Sequence, residues 1–282
     1  MGNLRALLTV AVIAFAAACG DDGGSNKPVD AAIVIVDAAI DAPPDAYVPD
    51  APNYDFTCLN NAAPTTAANT VTLAGTAQEI TLDFAANPPI AISPSANVAI
   101  QACRDNCMGQ DNLGTVMSAA TTGAFTTAAL TTGGTPLDGY LVATKTGFQN
   151  TRVYPAAPVT ANLADVPVLL MSSQVYANLG LAGITHGADN AIVATFVTDC
   201  AGTPIGGANV TVTRGGVSLG NTMSAGALDP SAEGGFITFD VPPDTTAANT
   251  VVNATYMGMT LRSHTVRTVA NTLTATAIEP GF

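Results

Sequence analysis

From residue 56 to residue 282, short runs of Val, Thr, Ala and Leu alternate with Gly, Pro, Asn and Asp. Such punctuation predicts an all-β fold built from short strands joined by tight turns. Over 139–145 the alternation places Tyr140, Val142 and Thr144 on one face and Leu141 and Ala143 on the other. Open sheets this short and this rich in Thr would leave an apolar face wet, so two sheets must pair and bury their apolar sides.

Strands are expected in the first half at 70–73, 79–84, 97–103, 115–119, 124–130, 139–145, 150–154 and 166–171. In the second half they are expected at 192–198, 208–214, 222–225, 236–241, 251–256, 259–264 and 273–277. The two sets follow the same order. Pro94 and Pro204 each precede a strand, and Gly123-Ala124-Phe125 and Gly235-Phe236 each open a later one. This is the pattern of a duplicated module of about 100 residues. The expected domains are 56–172 and 191–282, joined by 173–190. There Val175, Leu179 and Ala182 have helical spacing, Ser172 or Ser173 is available as N-cap, and Gly183 is available as a stop. An irregular linker is the alternative, because Gly180 opposes a helix.

The strand opened by Ser95 to Ala102, the hairpin Thr121-Thr122-Gly123-Ala124-Phe125, the stretch from Tyr140 to Phe148 and the second copy from Val197 to Val212 carry a family likeness. In these residues the chain resembles the carboxypeptidase regulatory-like, or transthyretin-like (prealbumin-like), β-sandwich family over roughly residues 68 to 280. The resemblance implies two tandem Greek-key sandwiches, each a folding, spacing or adhesion module, and no catalytic residues.

The N-terminus reads as an address. Arg5 is followed by an apolar run from Ala6 to Ala18, too short for the about 20 residues of a permanent membrane span. Ala16-Ala17-Ala18-Cys19 resembles the lipobox of bacterial lipoproteins, with Ala16 where Leu is usual. The resemblance implies that residues 1–18 are a signal peptide and that Cys19 is lipidated; a plain signal peptide is the alternative. Residues 19–55 repeat Asp, Ala and Pro, with eight aspartates against the single Lys27, and read as an extended, disordered acidic tether. At about 3.1 Å per residue it would reach roughly 110 Å when fully extended. The implied location is the bacterial outer membrane or cell surface, with a periplasmic face as the alternative.

With 8 Lys+Arg against 21 Asp+Glu and a net charge of -13, the chain offers no footprint for phosphate backbones, and nucleic acid is excluded as a partner. Two histidines and few cations leave little for acid/base chemistry. His186 and Asp189 share a loop without a recognisable mechanism, and His264, alternating with Arg262, is expected on a solvent face. No nucleophile elbow, zinc-protease helix, P-loop or dinucleotide fingerprint is present, so no catalytic residue, metal or cofactor is expected.

Beyond Cys19 lie Cys58, Cys103, Cys107 and Cys200. Cys103 and Cys107 flank a polar turn that can meet disulfide geometry, and that local pair is favoured. A pairing of Cys58 with either of them and a metal site are the alternatives, and a Cys58–Cys200 pair is left open. Tyr140, Phe148, Arg152 and Tyr154 cluster in sequence and are the candidate ligand-binding residues, with ordinary packing as the competing explanation. The functional expectation is a non-catalytic, lipid-anchored envelope protein with structural, adhesive or protein-interaction roles. Carbohydrate or small-ligand binding is the alternative, and the partner is an unidentified protein or glycan.

Overall fold

The computed structural model describes residues 53–82, 90–182, 184–226 and 233–281. The signal peptide, Cys19, most of the 19–55 tether and the proposed stop at Gly183 lie outside the described residues. Residues 54–282 belong to one compact unit.

The first half contributes β1 (Thr70–Val71), β2 (Leu73–Leu82), β3 (Ile90–Pro94), β4 (Ala99–Cys103), β5 (Asn112–Met117), β6 (Ala124–Thr126) and β7 (Leu130–Thr131). It continues with β8 (Tyr140–Thr144), β9 (Asn150–Tyr154) and β10 (Leu163–Met171). A short helix, α1 (Ser173–Ala177), follows. The second half holds β11 (Ala191–Val197), β12 (Asn209–Arg214), β13 (Val217–Ser218), β14 (Asn221–Ser224) and β15 (Gly235–Val241). It closes with β16 (Thr250–Tyr256), β17 (Met259–Thr260), β18 (His264–Val266) and β19 (Thr272–Ile278). The fold is all-β.

Each half makes a sandwich. In the first, β2 pairs parallel with β10 and antiparallel with β3 and β6, while β4 pairs with β5 and β8, and β8 with β9. In the second, β11 pairs parallel with β19 and antiparallel with β15, while β12 pairs with β13 and β16, and β16 with β18. The two plans share a central strand with one parallel and one antiparallel neighbour, β2 with β10 and β6 and β11 with β19 and β15, while β3 has no equivalent strand in the second half. One further pairing fuses them: β9 lies parallel to β19, from Thr272 opposite Asn150 to Thr276 opposite Tyr154. The result is a continuous sheet in the order β14-β15-β11-β19-β9-β8-β4-β5.

The pleat sends alternate side chains of this shared sheet to opposite faces. Ile100, Ala102, Leu141, Ala143, Val153 and Ala275 pack with Leu73, Ala77, Val168 and Leu170 in the first core. Tyr140, Tyr154, Val193, Val197 and Phe236 face the other way and pack with Val210, Val212, Val252 and Val266 in the second. A third cluster seats α1 on the first face, with Val175 and Tyr176 against Ile192, Phe239 and Leu273. Ser172 caps this helix, its hydroxyl accepting from the Val175 amide at 3.2 Å. Capping satisfies one of the otherwise orphaned first-turn amides.

Two glycines pin the repeat. At Gly123 (φ +64) an added Cβ would lie 2.2 Å from the Ala77 carbonyl, and at Gly234 (φ +78) one would lie 2.8 Å from that of Val197. The amides of Ala77 and Val197 donate to Gly123 and Gly234, each at 2.8 Å, and those of Ser95 and Ile205 donate back to Ala77 and Val197, each at 2.9 Å. The second sandwich also holds a buried polar knot. Arg214 meets Asp244 at 2.9 Å, and the Asp244 carboxylate accepts from the Thr250 hydroxyl at 3.1 Å and the Thr268 amide at 2.9 Å. Its carboxylate is fully enclosed. Such a charge is tolerated only when paired and hydrogen-bonded.

Candidate functional site

The structure joins Cys103 to Cys107 (Cα–Cα 4.7 Å) and Cys58 to Cys200 (Cα–Cα 5.7 Å). Around the second disulfide the chain forms a clasp. The Asp55 amide donates to Asp199 Oδ2 at 2.8 Å, and the Cys200 amide donates to the Asp55 carbonyl at 2.9 Å. Asp199 Oδ1 also accepts from the amides of Ala201 and Thr203, at 2.9 and 2.7 Å, so one buried carboxylate orders both the turn and the strap laid on it. Tyr54 packs edge-on to Tyr256 at 5.4 Å, Phe56 stacks on Tyr256 at 5.9 Å, and the Gly206 amide donates to the Tyr54 hydroxyl at 3.0 Å. Burial pushes the Tyr54 phenol up. Asp55 is held below the usual carboxylate range by the Thr57 amide and hydroxyl.

The candidate ligand residues divide. Tyr140, Arg152 and Tyr154 come together at the seam where β9 meets β19, whereas Phe148 lies apart, bridged to Ser172 and capped by the Lys145 ammonium 4.7 Å from its ring. The rings of Tyr140 and Tyr154 stack with centroids 5.0 Å apart, and the Arg152 guanidinium sits 5.0 Å from the Tyr140 ring. Tyr140 donates to the Asp105 carbonyl at 2.8 Å, and the Tyr154 hydroxyl accepts from the Arg267 amide at 3.2 Å. Burial raises the Tyr154 phenol, with Arg152 and the Arg267 amide opposing. Tyr140 and Tyr154 are only 7% and 9% exposed, so neither offers a free ring face. One Arg152 nitrogen is buried without a partner, as is the Thr274 hydroxyl on the strand beside it.

His264 corrects an expectation. It shares a face with buried Val266 and lies inside the seam, its Nδ1 2.6 Å from the Thr276 hydroxyl and its ring edge-on to Tyr154 at 6.0 Å. The expected strand 259–264 is broken at Leu261–Ser263, so alternation counted through Arg262 gave the wrong side. Burial lowers the His264 pKa, Arg262 adds to the effect, and Asp138 opposes it.

His186 faces Asp240 rather than Asp189. The Asp240 amide donates to His186 Nδ1 at 3.2 Å, and the ring lies edge-on to Tyr176 at 4.6 Å. Asp240 accepts from the Gly187 amide at 2.7 Å and from Asn190 at 2.6 Å, which holds its carboxyl low, while burial lowers His186 and lifts Tyr176 to about 12. These bonds shape the loop that enters β11. Sequence reasoning missed Asp199 and Asp240 as organising carboxylates. Only the Asp199 turn carried a signal, an Asp able to accept from the amide two residues on, Ala201, as in an Asx turn.

Among the described residues, no group of three or more His, Cys, Asp or Glu is placed to hold a metal, and no helix is long and apolar enough to cross a membrane. No family model matches the chain. No curated protein matches it. Among solved structures, the shaft pilin SpaA from Lactobacillus rhamnosus GG aligns at 10% identity and a TM-score of 0.22, covering 76% of this chain and 98% of that one. A streptococcal ancillary pilin aligns at 10% identity and a TM-score of 0.21, covering 75% and 62%. The Bacillus anthracis TIE protein aligns at 8% identity and a TM-score of 0.21, covering 74% and 33%. These likenesses carry no inference about the work of this chain.

Proposed function

We propose that this is a non-catalytic, lipid-anchored cell-envelope protein. Cys19 carries the acyl groups, residues 19–55 form the tether, and two carboxypeptidase regulatory-like sandwiches, 56–172 and 191–282 with 173–190 between them, act in display, adhesion or protein interaction. The observation that carries this reading is the clasp. The chain leaving the acidic stretch is fixed at once by a disulfide, a shared carboxylate and three packed aromatic rings. Fastening of this kind suits a folded head held on a stalk. Export also suits two disulfides in one small protein.

Carbohydrate binding at Tyr140, Arg152 and Tyr154 is the alternative, and it requires ring faces that are covered here. The test is expression of the wild-type chain and Cys19→Ser in a bacterium with two membranes, with labelled palmitate, fractionation and protease treatment of intact cells. The reading expects label in the wild type only and release of peptides from 56–282 outside the cell. Unlabelled wild-type protein in the soluble fraction would overturn the anchor. Glycan binding lost on Arg152→Ala, with folding intact, would move the function to the alternative.

A further inference from the structure

The core of the first sandwich is hollow at one end. A cavity of about 330 Å³ opens where β8 begins and where β9 and β19 end. Leu73, Leu130, Leu137, Leu141, Val153 and Phe196 form much of its wall. Its width has a local cause. β10 bulges between Leu163 and Val166, with Asp165 at φ +60, so the strand turns away where a straight one would send side chains across the gap. Ala156, Ala164, Ala275 and Ala277 then leave the space unfilled.

Protein cores normally pack as densely as organic crystals and keep few voids larger than a water molecule. Water gains little in a space walled by aliphatic carbon, because it needs two or more polar partners there. The volume sits at the lower end of the roughly 300–1,000 Å³ typical of small-molecule sites, and the apolar wall with a few polar groups is the usual character of such sites. The lining also includes Asp165 and Glu279. Arg262 is one nearby cation; it donates to the Ala156 carbonyl at 3.1 Å and lies in the field of Glu279 and Asp138. Asp165 and Glu279 are the charged residues that line the cavity, with no Lys, Arg or His among the described residues of the lining, and this disfavours an anionic head. Burial pushes the Glu279 carboxyl up, with Arg262 opposing.

We propose that this cavity binds a single-chain amphiphile with an uncharged or cationic head, its alkyl chain among the leucines and its head beside Asp165 and Glu279. The site does not depend on the display role, and either can fail without the other.

The test uses the full chain and three probes, dodecylamine, dodecanol and dodecanoate, each below its micelle concentration, displacing the dye N-phenyl-1-naphthylamine. Residues 1–52 are common to every variant, so differences between variants report on the cavity. The expected result is displacement by the amine and the alcohol, with dodecanoate weaker by about tenfold. Ala277→Leu, which fills the cavity, should abolish displacement while leaving the melting transition cooperative. Glu279→Gln should bring dodecanoate to within about twofold of dodecanol, and it keeps the proposal testable if Ala277→Leu does not fold. Absence of displacement by any probe, equal binding of all three heads to wild type and Glu279→Gln, or unchanged binding by a folded Ala277→Leu would each overturn it.

Discussion

Gly123 and Gly234 hold the same position in the two halves of the chain: each accepts the amide of a residue whose carbonyl its own Cβ would strike. The equivalence extends to their surroundings. Ser95 and Ile205 are both fully buried and both donate to the residue that the glycine contacts. Phe125 and Phe236, two positions after each glycine, enter the first and second cores.

Replacing either glycine by alanine should therefore cost stability through strain and collision together. Gly123→Ala is expected to lose about 2 kcal/mol or more, and Gly234→Ala somewhat less, because its contact is longer. Gly133, at φ +66 with open space around its absent Cβ, is the control and should lose about 1 kcal/mol. Urea unfolding of the three variants measures this. Equal losses at all three would show that the collisions do not matter.

The two disulfides should contribute unequally. Cys58–Cys200 spans a sequence separation of 142 and Cys103–Cys107 one of 4. Loop-closure entropy assigns roughly 5 kcal/mol to the long loop and roughly 2 kcal/mol to the short one. Cys58→Ser with Cys200→Ser should lower the melting temperature by more than Cys103→Ser with Cys107→Ser. The reverse order in calorimetry would refute the entropic account.

Arg214→Leu should be worse than Arg214→Leu combined with Asp244→Leu. Removing the guanidinium alone strands an enclosed carboxylate, a loss of about 3 kcal/mol, whereas removing both charges leaves no ion without its partner. Denaturant midpoints of the single and double variants decide it. A double variant less stable than the single would show that the threonine bonds to Asp244 dominate.

Acid should loosen the seam. The folded pKa of His264 lies below its unfolded value, so the stability tied to its neutral form is full above the unfolded pKa of about 6.5 and falls as pH drops through the folded pKa. His186 is shifted in the same direction. Between about pH 7.5 and about pH 5, the wild type should lose more stability than His264→Gln, which retains only the His186 contribution. Parallel pH profiles for the two proteins would exclude His264 as a source.

The repeat was legible because its signals are local. Pro94 and Pro204 each stand one residue before the bonds of Ser95 and Ile205, and Gly123 is required by sterics, whereas in the second half the required glycine is Gly234, one residue before the Gly235 that the sequence pattern singled out. The edge-to-edge fusion was not legible. Asn150 to Tyr154 and Thr272 to Thr276 have the composition of ordinary strands, and nothing in either names the other as neighbour. Thr272, Thr274 and Thr276 look like solvent-facing residues yet are buried. β3 was missed because Pro94 reads as a turn. The pairing of Cys58 with Cys200 is a fact of three dimensions, left open by any count along the chain. His264 was misplaced by extending a strand across a break of three residues.

The bond between Cys58 and Cys200 also fixes the path of a mechanical load. Tension applied to the chain ahead of Cys58 passes through sulfur into Cys200 and onward to the second sandwich. The backbone between those two cysteines, which holds the strands of the first sandwich and β11, lies off that line as a loop. While the crosslink holds, such a pull bypasses the strands of the first sandwich, and reduction of one bond would place them in series with the force.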